Sequence, residues 1–129
     1  MPTDTSNHNF KNFYEAKLWA KRNIVGCYKN KSTGMDITIS NKSIDKYLSS
    51  SAVLKSKSMD AHLSVLCILP HLIENAVLKE IQEDRDRNKD IKGILRFYSA
   101  INYQSQIYSV KITVKAYSNG SKAYSYEVI

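Results

Sequence analysis

One histidine stands where it could move a proton. His62 falls in the first turn of an apolar-periodic segment over 59–69, where a side chain can reach the rim of a cleft. An imidazole titrates near neutral pH, which suits a general acid or base. The competing reading is a half-buried histidine bonded to a backbone carbonyl. A second group of residues suits a polyanion. Over 108–117 the sequence alternates strictly, Val110, Ile112, Val114 and Ala116 against Ser109, Lys111, Thr113, Lys115 and Tyr117. A period of two with β-branched residues describes a strand with one buried face. Its open face would carry Lys111, Thr113 and Lys115, with Arg96 and Tyr98 as neighbours and Tyr124 or Tyr126 close by. Basic and aromatic side chains interleaved on a sheet face suit phosphate contact and base stacking. The same alternation would also solvate an outer face and discourage edge-to-edge aggregation.

Other chemistries find no support. The chain has four glycines and neither a Gly-x-x-x-x-Gly-Lys loop nor a Gly-x-Gly-x-x-Gly turn, so no phosphate-cradling or dinucleotide motif is expected. Cys27 and Cys67 form no Cys-x-x-Cys pair. Cys67 and His71 are four apart, but Pro70 interrupts the helical face they would share and no further ligands follow. No metal and no cofactor are expected. Cys67 lies among Val65, Leu66, Ile68 and Leu69, which suits a core thiol better than a nucleophile. Both cysteines read as buried free thiols in a reducing cytoplasm.

The elements that must position these groups divide into helices first and sheet last. Asn12, with Glu15 three residues on, starts a helix whose Phe13, Ala16, Ala20 and Ile24 share a face. A hairpin follows, 25–29 and 35–40 around a polar turn. Asn41 or Ser43 caps a short helix to Leu48. The serine-rich stretch 49–58 reads as a loop around Ala52, Val53 and Leu54. Ser58 caps a main helix over 59–69, with Asp60 favourable at its N-terminus and Pro70 ending it. Over 71–81 periodicity does not separate helix from strand. The mixed-charge run 83–90 reads as a solvated loop. An antiparallel meander then occupies 91–129, turning near Gln104–Gln106 and at Asn119-Gly120, a dipeptide suited to a tight hairpin turn. The expected class is α+β: N-terminal helices and a small hairpin packed on a C-terminal antiparallel sheet. A disordered tail over 1–10 and a single domain over 11–129 complete the expectation.

The chain of 129 residues is 43% hydrophobic, enough for a core, and carries a formal net charge of +7. No apolar run approaches the ~20 residues that span a bilayer, and the first residues lack the pattern of an export signal. A cytoplasmic protein with no membrane partner is expected. The charge is uneven: 11–72 holds ten Lys or Arg against four acids, and 91–129 holds five against one. Such a domain attracts polyanions, nucleic acid above all.

From Trp19 to Tyr124 the chain resembles the large polyvalent protein-associated domains of the third type, found in phage and mobile-element proteins. The resemblance lies in Trp19-Ala20, Val25-Gly26, Thr33-Gly34 and the Ile37-Thr-Ile39 strand. It continues in the segment Ile44 to Ser49, in His62, and in Leu72 to Ala76. Ile91-Lys92, Arg96-Phe97 and Val110 to Lys115 complete it. Such domains are similar in layout to metal-independent ribonucleases of the barnase–EndoU–colicin–RelE type. The resemblance implies an RNA-cleaving or RNA-binding scaffold in which a ribose 2′-hydroxyl attacks its adjacent phosphate. That chemistry needs a base, an acid and fixed cations. On this reading His62 is base or acid, Lys46 and Lys111 clamp phosphate, and Arg96 stabilises the transition state. Tyr124 or Tyr126 would supply the second proton, while Lys115 and Tyr98 bind nucleic acid. His62, Arg96 and Lys111 must then converge on one cleft. The alternative is a non-catalytic accessory module that engages nucleic acid or a protein partner within a mobile-element protein. An immunity-like partner of another protein is a third option, less suited to the basic charge.

Overall fold

A computed structural model describes residues 2–5, 8–83 and 91–129. The architecture is α+β. Strand β1 (Thr3–Thr5) precedes helix α1 (Phe13–Asn23), the hairpin β2 (Gly26–Lys29) and β3 (Asp36–Ile39), and the short helices α2 (Asn41–Tyr47) and α3 (Ser50–Lys55). Helix α4 (Met59–Asn75) and strand β4 (Val77–Gln82) lead to the long strands β5 (Ile91–Tyr103), β6 (Gln106–Tyr117) and β7 (Gly120–Val128). The sheet runs β1-β5-β6-β7-β3-β2, and β4 shares the outer edge of β5 with β1.

The expected meander is present: β5, β6 and β7 pair antiparallel in sequence order. The first turn is made by Gln104 and Ser105, both at positive φ. The sheet as a whole is mixed rather than antiparallel, because β1 joins β5 and β3 joins β7 in parallel. Within the stretch 1–10, expected to be a disordered tail, the first of these pairings makes Thr3–Thr5 a strand. Thr3, Asp4 and Thr5 lie in register with Ile101, Asn102 and Tyr103, and Phe10 rests against the Trp19 ring.

The inner face is built as the alternation requires. Val110, Ile112 and Val114 of β6 are buried with Phe97 and Ile101 of β5 against Leu66, Leu69, Leu72 and Ile73 of α4. Helix caps follow the sequence closely. Asn12 Oδ1 accepts the Glu15 N–H, Ser58 the Ala61 N–H, and Ser40 rather than Asn41 or Ser43 caps α2.

Three expectations are corrected here. Pro70 does not end α4, which runs on to Asn75. An interior proline costs ~3 kcal/mol, whereas burying Leu72 and Ile73 contributes roughly 1.5–3 kcal/mol each, so continuation wins. The stretch 49–58 is not a loop throughout: Ser49 accepts the Ala52 N–H and starts α3, whose Val53 is buried. The ambiguous segment 71–81 is the end of α4 followed by β4. Of the solvated loop expected at 83–90, residues 84–90 lie outside the described residues. Cys67 is half-buried but Cys27 is exposed, so only one thiol is sheltered.

Candidate anion-binding groove on the outer sheet face

The polar half of the β6 alternation turns away from α4. Register then fixes its neighbours: Lys111 lies between Tyr98 and Glu127, Thr113 between Arg96 and Ser125, and Lys115 between Ile94 and Lys122. One irregularity re-aims a side chain on this face. Thr113 pairs with Ser125 and Val114 with Ala123, so Tyr124 is an extra residue on β7. A bulge of this kind bends the strand and frees its extra residue from alternation. Ala123 and Tyr126 therefore remain buried while Tyr124 and Ser125 both stay on the outer side.

Helices α2 and α3 wall this face along β7. Lys46, Ser49, Ala52 and Lys55 overlook Arg96, Lys111, Lys115 and Tyr124 across a groove of about 470 Å³. Five cations line it against one carboxylate, Glu127. At its centre the Lys115 Nζ lies 3.6 Å from the centroid of the Tyr124 ring, and the Lys46 Nζ lies 3.8 Å from it. The hydrogen bond with the Lys46 ammonium, aided by the field of Lys115, holds the Tyr124 phenol below the usual tyrosine range although burial opposes it. Two of the remaining three cations, Lys111 and Arg96, are tethered, and so is Tyr98. Lys111 Nζ is 3.2 Å from Glu127 Oε2, Arg96 Nη1 donates to Gln82 Oε1 at 2.6 Å, and the Tyr98 hydroxyl donates to Glu80 Oε1 at 2.8 Å. That last bond, first among the causes, raises the Tyr98 phenol.

Of the eight residues singled out from the sequence, the structure gathers Lys46, Arg96, Lys111, Lys115 and Tyr124 around this groove, with Tyr98 beside Lys111. Of the other two, Tyr126 borders the groove but is buried, and His62 does not line it. His62 has no exposed surface and sits beneath the sheet. Its Nε2 faces the Tyr47 carbonyl at 2.7 Å and must carry the proton, so Nδ1 accepts from the Ser56 hydroxyl at 2.6 Å. Burial lowers its pKa, partly offset by the bond to the Tyr47 carbonyl. Tyr126 stacks on the His62 ring, centroids 4.3 Å apart, and donates its hydroxyl to the His62 carbonyl. Burial raises its phenol well above the usual range. The expected convergence of His62, Arg96 and Lys111 on one cleft is thus corrected. His62 and Tyr126 hold the core together on the face opposite the cations.

Residues that the sequence reading passed over also line the face. Glu127 had one signal, being the single acid in 91–129. Lys55 and the hydroxyls of Ser49 and Ser51 were hidden because α3 read as a loop. Among the described residues no cluster of three or more His, Cys, Asp or Glu could hold a metal ion, and no helix is long and apolar enough to cross a membrane.

The family model described as large polyvalent protein-associated domain 3 matches residues 8–124. Neither a curated protein nor a solved structure matches the chain.

Proposed function

The chain belongs to the large polyvalent protein-associated domain 3 family, and from that premise we propose that its outer groove binds RNA and cleaves it without metal. The observation that carries this reading is Tyr124, a phenol clasped by two lysines in a groove of five cations and one carboxylate. Such a phenol is a stronger acid than free tyrosine, and it sits where a phosphate would be drawn. Glu127 would accept the proton of a ribose 2′-hydroxyl as its oxygen bonds to phosphorus. Tyr124 would give its proton to the departing 5′-oxygen as the phosphorus–oxygen bond breaks. Lys46, Lys115 and Arg96 would stabilise the charge of the phosphorane. The products would be a 2′,3′-cyclic phosphate and a 5′-hydroxyl. This reading replaces His62 and Tyr126 as proton carriers.

A second reading has its own support. Lys111 is already paired with Glu127, and Arg96 with Gln82, an arrangement that suits a binding module without turnover. Incubation of structured and unstructured RNA with the protein in a chelator separates the two. Cleavage leaving cyclic phosphate ends, lost in Tyr124→Phe and Glu127→Gln, is the result expected. Retention of RNA without cleavage leaves the binding module. Failure of the protein to retain RNA at all overturns both.

A further inference from the structure

A second hollow of about 400 Å³ adjoins the groove on the far side of Tyr124, bounded by Lys42, Lys46, Tyr117, Lys122 and the hydroxyls of Ser40 and Ser43. Tyr124 and Lys46 line both spaces, so the clasped phenol is a wall that the two share. No carboxylate lines this hollow. Among the described residues, Lys42, Lys46, Lys115 and Lys122 take part in no ion pair. The sheet also sets Lys115 directly opposite Lys122. Like charges at opposed positions of neighbouring strands destabilise a sheet, so this register is tolerated at a cost that a bound anion would relieve. The Lys122 ammonium lies 5.3 Å from the Tyr117 ring centroid, which leaves a cation and an aromatic side by side at the end of β6.

From these observations we infer that the hollow lined by Lys42, Lys122 and Tyr117 is a second phosphate subsite, and that the ligand is a single RNA strand crossing Tyr124 with phosphates on both sides. The inference rests on the RNA reading above and names the substrate class for that site. From Lys111 to Tyr117, β6 rises ~20 Å. That length matches the short end of the roughly 4–16 nucleotides held by single-strand grooves.

The test measures binding of a trinucleotide and an octanucleotide of unstructured RNA to the full chain at several salt concentrations. The double variant Lys42→Ala/Lys122→Ala is compared with a charge-matched control, Lys29→Ala/Lys79→Ala, whose lysines are exposed on other strands. The expected result is about tenfold weaker octanucleotide binding by the double variant with a salt slope reduced by roughly 1–2. Trinucleotide binding should change less than about twofold, and the control should match the wild type. If the control loses as much as the double variant, or if neither loses anything, the second subsite is overturned while the groove reading stands. If the wild type binds neither RNA, both fall together.

Discussion

The Tyr47 hydroxyl donates to the carbonyl of Ala123 at 2.5 Å, and this bond ties helix α2 to the strand at the bulge. Lys46 and Tyr124 are the next residues along on each side, so one buried bond sets the distance between the ammonium and the phenol it clasps. The Tyr47 ring also meets Tyr126 edge-on, centroids 5.2 Å apart. Tyr47→Phe keeps that contact and deletes only the hydroxyl. A buried carbonyl left without its donor costs roughly 1–3 kcal/mol, and chemical denaturation should register a loss of that size. RNA affinity should fall while its salt slope stays unchanged, since no cation is removed.

Tyr124 should titrate below the ~10 of a free tyrosine. Ultraviolet difference titration of the wild type against Tyr124→Phe isolates its phenolate. Lys46→Ala and Lys115→Ala should each return the transition toward 10, with the larger return for Lys46, whose hydrogen bond is the first cause of the shift. A transition at or above 10 in the wild type would remove the basis for Tyr124 as proton donor.

His62 makes stability depend on pH. Its folded pKa lies below its unfolded value of ~6.5 because burial penalises the cation. As pH falls below ~6.5 the unfolded chain gains a proton that the folded chain refuses. The stabilisation is therefore complete above ~6.5 and is lost progressively as pH falls toward the folded value. Melting temperature should drop over that interval, and His62→Gln should be less stable above it but flatter within it. RNA retention by folded His62→Gln should equal that of the wild type, because the side chain lies on the opposite side of the sheet from the groove.

Asn30 is fully buried and satisfies both ends of its amide. Its Nδ2 donates to the Ile73 and Ala76 carbonyls at 2.8 and 2.9 Å, and its Oδ1 accepts from the Thr33 backbone and hydroxyl. It thereby closes the end of α4 and the β2–β3 turn at once. Asn30→Ala should cost roughly 2–4 kcal/mol, since up to four bonds worth about 1 kcal/mol each are lost. Asn30→Asp should cost more at neutral pH by turning a carboxylate toward two carbonyls. Denaturant midpoints of both variants check the order.

The local rules that the sequence carries proved sufficient for the caps of α1 and α4, the β5–β6–β7 hairpins and the inward set of β6. They were insufficient where long-range burial decides. Pro70 marks a helix end by propensity, yet Leu72 and Ile73 on the same face draw the helix past it. The two parallel pairings join residues about a hundred positions apart in one case and over eighty in the other, and no periodicity records a partner. Arg96, Lys111, Lys115 and Tyr124 were legible as a face because alternation places them there. Tyr126 was not, because the extra residue at Tyr124 shifts the phase of β7 and returns Tyr126 to the core. His62 looked accessible from its place in the first turn of α4. The acceptor and donor that bury it, Tyr47 and Ser56, lie on a helix and a cap that the sequence left loosely defined.

The opposed pair Lys115 and Lys122 gives the fold an inbuilt tension that counterions can quiet. Added electrolyte shortens the reach of their repulsion to ~10 Å at 0.1 M and less beyond, so heat resistance should climb with ionic strength, even as the grip on RNA slackens. Opposite salt responses of folding and of capture would then come from the same two ammonium groups.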